Sequence, residues 1–253
     1  MAEQNPFLVP GGSAEQGGAA FDPAGRNVDA GRGLEWIKQG WQLFVKNPGM
    51  WIAIAVILLV IVIVLSFIPV IGSLAANFLM PVFAGGILLG CKSLTEGGDF
   101  GIDSLFAGFR QNTTNLILVG VFYLVGVIAI TVLVFLIGGG AALTGGLIGH
   151  GPGVGVAMGG FFLAMLVMLV LLVPLAMAVW FAPALVVFRN VAPLEAMKAS
   201  FFACLKNIVP FLVYGVILFV LCIVAMIPFG LGMLVMMPVM MGSVYASYVE
   251  IFE

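Results

Sequence analysis

Few residues in this 253-residue chain could do chemistry, and they are widely spaced. His150 is its one histidine, and no carboxylate, cysteine or second histidine lies near it in sequence. A catalytic base needs a partner to orient it, and a metal needs several ligands, so His150 by itself supports neither role. Cys91, Cys204 and Cys222 are far apart, lack CxxC spacing, and sit in or beside apolar runs. They read as small core residues rather than a disulfide framework or a metal site. The run GGGAALTGGLIGHGPGVG, residues 138–155, has the glycines of a phosphate-cradling loop, but not the lysine and hydroxyl on which such a loop ends. It reads as a flexible hairpin or a re-entrant loop. No catalytic residue, cofactor or metal is assigned, and the expectation is that the protein is not an enzyme.

The charged residues carry more information than the nucleophiles. Nine Lys and Arg stand against eleven Asp and Glu, only 8% of the chain, while 63% of residues are hydrophobic. Soluble proteins carry about 25% charged residues. With a mean hydropathy of +1.26, the chain is an integral membrane protein. Its net charge of -2 gives no reason to propose nucleic acid as a partner. The long apolar runs hold no ionisable residue, although such residues usually mark proton, ion or substrate paths. Their conspicuous polar groups, Asn77, Thr131, Ser243, Tyr245 and Ser247, read as helix-helix contacts or interfacial anchors.

All the charged residues fall in the N-terminal segment, at the C-terminus, in amphipathic segments, or in connections on one side of the apolar runs. The opposite connections, near Pro69, Gly145 and Pro228, have none. The positive-inside rule then places both termini in the cytoplasm, which requires an even number of crossings. Lys38, Lys46, Arg110, Arg189, Lys198 and Lys206 flank membrane entries or exits. They are the candidate lipid-headgroup contacts, because a basic residue near an anionic leaflet is worth about 1 kcal/mol. Insertion alone would also leave basic residues there.

The elements that position these groups repeat. Gly33 to Leu58, GLEWIKQGWQLFVKNPGMWIAIAVIL, returns 160 positions later as PLEAMKASFFACLKNIVPFLVYGVIL. Leu34, Glu35, Lys38, Lys46 and Asn47 meet Leu194, Glu195, Lys198, Lys206 and Asn207. At 100° per residue, Glu35, Lys38, Gln39, Gln42 and Lys46 share one arc, opposite Leu34, Ile37, Trp41, Phe44 and Val45. A helix of this kind lies in the interface, with Trp36 and Trp41 at headgroup depth. Asn47-Pro48 caps and starts the next helix. Asp103 to Gln111 is a weaker version of the same segment.

Six crossings follow: Pro48 to Ile68, a run resuming after Gly72 to Cys91, Thr113 to Ile137, Gly160 to Phe188, Ile208 to Ile227, and Leu231 to Tyr248. Each is long enough for a hydrocarbon core of about 30 Å. Met80-Pro81-Val82 returns as Met237-Pro238-Val239, so the second crossings repeat as well. The fold class is an all-α polytopic membrane bundle with six transmembrane helices, short interfacial helices and internal repeats. Repeat units cover 33–92, 99–188 and 193–250 within a transmembrane domain at 31–253. Residues 1–30 read as a disordered cytoplasmic tail, with Asn5-Pro6-Phe7 as a weak docking motif. They contain no apolar core of a signal peptide, so the chain is taken as mature.

GRGLEWIKQGWQLFVKNPGMW, the LFAGFR of Leu105 to Arg110 and the PALVVF of Pro183 to Phe188 resemble a family of uncharacterised proteobacterial inner-membrane proteins. The layout is more distantly similar to the membrane domain beside some glycerophosphodiester phosphodiesterases. The resemblance implies a multi-pass protein of the bacterial inner membrane and supplies no catalytic residues; the chain has no phosphodiesterase domain.

Two functions compete. One is a non-enzymatic scaffold that organises the membrane, meeting anionic lipids or a membrane-protein partner. The other is a permease for an apolar or lipid-like substrate, for which the repeat and the proline-interrupted helices speak. The topology is tested by reporter fusions: those after residues 72, 148 and 229 are expected to be active outside, and those after 98, 192 and 253 inside. One reversed connection would redraw the map.

Overall fold

The structure, a computed structural model, describes residues 21–148 and 152–253. Among them the chain is helical with no strand, in the order α1 (Arg32–Lys46), α2 (Pro48–Ser66), α3 (Ile71–Thr95), α4 (Ile102–Phe106), α5 (Thr113–Ile148), α6 (Pro152–Trp180), α7 (Ala182–Arg189), α8 (Pro193–Lys206), α9 (Ile208–Met226) and α10 (Met233–Phe252). A 3-10 turn, Ala107–Phe109, follows α4. Six spans among the described residues are long and apolar enough to cross a membrane: α2, α3, α5, α6 with α7, α9 and α10. This is the six-helix bundle expected from the apolar runs. His150 and Asn5-Pro6-Phe7 lie outside the described residues.

The glycine-rich run departs from expectation. It is not a loop over most of its length: α5 continues past Ile137 to Ile148, and α6 begins at Pro152. Here glycine serves helix packing rather than helix breaking. A Cβ on Gly145 would strike the Gly153 carbonyl, and one on Gly153 would strike that of Gly145. A Cβ on Gly160 would strike the Ala141 methyl group. Small residues that let two backbones touch are how membrane helices associate without a hydrophobic driving force. The fourth crossing also differs, because it is interrupted at Phe181, just before α7, whose first turn holds Pro183. The Phe181 amide is taken up by Ser200 Oγ at 2.9 Å.

The chain forms two compact units, one from residues 21–120 and 178–253 and one from 121–177. These boundaries do not follow the repeat units. In the larger one, α3 and α10 are about half buried, whereas α2 and α9 present most of their apolar surface outward. The structure places α1 against α10 and α9. Gly33 faces the backbone of Pro210 and Tyr214, and Gly40 faces Val239 and Ser243. A Cβ at Gly242 would sit 2.9 Å from the Gly40 Cα. The middle segment docks similarly, with Gly86 against Ser104 and Leu105, and Gly108 against Val82. Close docking through Gly108 is consistent with α4 ending after five residues and passing into the 3-10 turn.

The two repeated amphipathic helices bury equivalent faces. Gly33, Trp36, Ile37, Gly40, Leu43 and Phe44 are buried in α1, and Pro193, Ala196, Met197, Ser200, Ala203 and Cys204 take their places in α8. Leu34, Trp41 and Val45 stay exposed, as do Leu194, Phe202 and Leu205. Each helix therefore has three strips: one toward the bundle, one apolar and outward, one polar. Trp36 is a correction to the expected pair of headgroup anchors. It is fully buried, whereas Trp41 is half exposed.

An unstructured tail through residue 30 does not describe residues 21–31. The Asp22 and Arg26 amides donate to the carbonyls of Phe252 and Ile251 at 2.9 and 2.7 Å. Phe21 stacks on Phe252. Gly25, at φ 69, turns the segment against Ile251 and Ala203. The polar composition of these residues hid the fact that their backbone groups are taken up by the ends of α8 and α10.

Gly40→Val is expected to destabilise by about 2–3 kcal/mol, because the added atoms meet helix backbone that cannot yield. Gly215 of α9 has nothing within 4 Å of an added Cβ, so Gly215→Ala should gain up to about 1 kcal/mol of helix propensity. Thermal unfolding in detergent reads both; equal shifts would refute the close crossing.

Candidate functional site

The sequence-predicted basic groups lie on α1 and α8, at the end of α7 and after the 3-10 turn. On α1 the Lys38 ammonium lies 2.7 Å from Glu35, and on α8 that of Lys198 lies 2.8 Å from Glu195. Lys38, hydrogen-bonded to it, holds the Glu35 carboxyl below the usual carboxylate range. The last-turn lysines instead fasten backbone. Lys46 Nζ donates to the Leu94 carbonyl at 3.1 Å, near the end of α3, and Lys206 Nζ donates to that of Gly25 at 2.6 Å. Arg189 pairs with Glu253 at 3.0 Å and lies over the Phe21 ring at 4.9 Å. Arg110 is exposed and has no ion pair among the described residues. Lys38, Arg110 and Lys198 thus point the least committed cations outward, while Lys46, Lys206 and Arg189 hold the protein to itself.

Sequence reasoning missed the carboxylates that pair with arginines here. Glu250 accepts the Trp36 indole N–H at 2.7 Å and forms an ion pair with Arg32. This contact holds the Arg32 guanidinium still more firmly charged. A signal was available. Glu250 and Glu253 end α10, where the carbonyl end of a helix disfavours negative charge, so each should have a cation nearby. Arg32 and Arg189 are those cations. Around Trp36 the rings of Phe211 and Tyr214 pack at 5.1 and 6.1 Å, and Trp180 meets both at about the same spacing, 5.9 and 6.0 Å.

The asparagine that ends each amphipathic segment is used three times to tie chain together. Asn47 Oδ1 caps α2 by accepting the Met50 amide at 3.3 Å, while Nδ2 donates to the Phe100 carbonyl. Asn112, at φ 56, donates to the Val186 carbonyl at 3.0 Å. Asn207 is fully buried; it accepts from the Val28 amide and donates to the Arg26 carbonyl, both at 2.8 Å. Of the intramembrane polar groups, Tyr245 of α10 meets Thr95 at the end of α3, a helix-helix contact as expected, and the other four bond locally. Asn77, Thr131, Ser243 and Ser247 hydrogen-bond carbonyls of their own helices, Ser73, Val127, Val239 and Val244, and so link no helices by these bonds.

No disulfide joins the cysteines. Burial pushes the Cys204 thiol up to about 12, which suits a packing residue. Among the described residues no three His, Cys, Asp or Glu side chains cluster as a metal would need. What the larger unit does contain is a cavity of about 590 Å³ bounded by α2, α3, α10 and the 229–231 turn. Every lining residue is Ala, Gly, Val, Leu, Ile, Met or Phe. Nothing in it can take or give a proton, so its chemistry is confined to holding apolar matter.

Glu250→Ala is expected to cost about 1–3 kcal/mol, since it leaves the buried Trp36 indole without an acceptor. Glu250→Gln keeps an acceptor oxygen and should lose less than half as much. Tryptophan fluorescence during unfolding distinguishes them, and equal losses would mean that Trp36 does not depend on this bond.

The chain is 32% identical over 236 residues to a probable inner membrane protein of Burkholderia thailandensis, with 88% of this chain and 83% of that protein covered. No family model matches it, and neither does any solved structure. The comparison provides no link to the membrane domain beside glycerophosphodiester phosphodiesterases.

Proposed function

The chain belongs to the same family as that Burkholderia inner membrane protein, and on that premise we propose that it is a non-enzymatic, membrane-organising protein whose termini both lie in the cytoplasm. The observation that carries this reading is the shared three-strip surface of α1 and α8. Each sets an exposed apolar strip, Leu34, Trp41 and Val45 or Leu194, Phe202 and Leu205, beside an outward lysine. An amphipathic helix of this type buries its apolar strip at the headgroup boundary and holds its basic groups over anionic lipid. Two of them, rigidly fixed to one bundle, would define a patch of inner leaflet on which a membrane-protein partner could assemble.

In vesicles of phosphatidylethanolamine and phosphatidylglycerol, the purified chain should retain phosphatidylglycerol through detergent exchange. Replacing Lys38, Arg110 and Lys198 by Gln should weaken that retention by roughly fivefold per residue. These three are chosen because Lys46 and Lys206 also hold backbone. Unchanged retention would leave the basic groups with membrane insertion as their one role. A second reading, a carrier for an apolar molecule, is favoured by the apolar cavity and by Pro81 and Pro238, one inside each of two of its walls. Mass spectrometry of the natively purified protein separates the two: a stoichiometric protein partner supports the scaffold, and a small molecule that leaves on transport across vesicles supports the carrier.

A further inference from the structure

We propose that the cavity between α2, α3 and α10 is a binding site for one acyl chain of a membrane lipid. The repeat supplies the first reason. Met80 and Met237 are equivalent residues of the two Met-Pro-Val motifs, and both line the cavity. The residues after the prolines, Val82 and Val239, are buried in the packed core instead. Each motif therefore sends one flexible side chain to the cavity and one stiff side chain to the core. The prolines contribute as well: neither Pro81 nor Pro238 can donate a backbone hydrogen bond, and a proline inside a helix bends it, which parts neighbouring walls.

The lining decides the class of ligand. Its side chains include Leu58, Ala84, Met80, Met233, Met237 and Met241, with no polar side chain among them. A sterol hydroxyl, a headgroup or a peptide would have to give up its hydrogen bonds on entering, at a cost of a few kcal/mol. A saturated or mono-unsaturated hydrocarbon chain gives up none. The volume, about 590 Å³, lies within the range of small-ligand sites, about 300–1,000 Å³. Four methionines suit a chain without fixed shape, because the thioether side chain is unbranched and polarisable and adapts to irregular contents. Location completes the assignment. The cavity is walled by crossing helices and reaches the 229–231 turn, on the chargeless side of the bundle, so a chain would enter from the leaflet opposite the lysines. No charged residue waits there for a headgroup, so the hydrocarbon is what is recognised.

The test uses the full chain in phosphatidylethanolamine and phosphatidylglycerol vesicles containing a trace of phosphatidylcholine with a diazirine in mid-chain. After photolysis, peptide mapping compares Met80, Met237 and Met241 with Leu212, Val216 and Phe219, which lie exposed on α9. Labelling at the methionines is expected to exceed that on α9 by about tenfold, equivalent to about 1.4 kcal/mol of preference. Ala84→Leu, which fills the cavity, should bring the methionines down to the α9 level while α9 labelling stays unchanged. Equal labelling in the unaltered protein would overturn the proposal. So would labelling that survives in Ala84→Leu, or in Ala55→Leu should the first variant fail to fold. The readout is independent of Lys38, Arg110 and Lys198, so its failure is distinguishable from loss of the headgroup contacts.

Discussion

The backbone contact between α1 and α10 at Gly40 and Gly242 is the constraint from which the rest of the larger unit follows. Without side chains at these positions the two helices approach until their main chains touch. That approach brings Trp36 under Glu250 and Arg32 beside it, and it presents Leu34, Trp41 and Val45 outward. A bulkier pair would hold α1 away from the bundle, and the indole would lose its carboxylate. Dispersion at a close crossing does here what hydrophobic burial does in water, because lipid tails are as apolar as the helices themselves.

Amphipathic helices in membrane proteins are commonly pictured as rafts on the interface. In this chain α1 and α8 are built into the bundle, and their lysines divide into two kinds by position along the helix. Those in the middle, Lys38 and Lys198, pair with the acid three residues earlier. Those at the end, Lys46 and Lys206, reach carbonyls of another segment. Exposed pairs of the first kind contribute little to stability. The second kind cross-link parts of the chain distant in sequence. One repeated sequence thereby supplies both an outward-facing ion pair and its own fastening.

Much of this was legible before any coordinates. The apolar runs located all six spans, since nothing but a helix of about 20 residues satisfies its own backbone across a bilayer. The 160-residue offset found α8 from α1, and with it the matching buried faces. Three things were hidden, each for a physical reason. Trp36 looked like an interfacial anchor because tryptophan suits both headgroups and cores, and only its carboxylate partner tells them apart. The glycines of 138–155 looked like a loop because their role in water is to break helices, whereas Gly145 and Gly153 bring two helices together. Residues 21–31 looked featureless because their interactions are made by backbone groups, which composition does not register. The cavity left only an indirect trace, the doubled Met-Pro-Val.

The ion pair of Arg32 with Glu250 joins residues that a ribosome makes far apart in time. While the intervening crossings are being inserted, α1 has no α10 on which to lie, and its Trp36 face is apolar and uncovered. The ion pair and the indole hydrogen bond that tie α1 to α10 therefore wait on the arrival of Glu250, near the end of the chain.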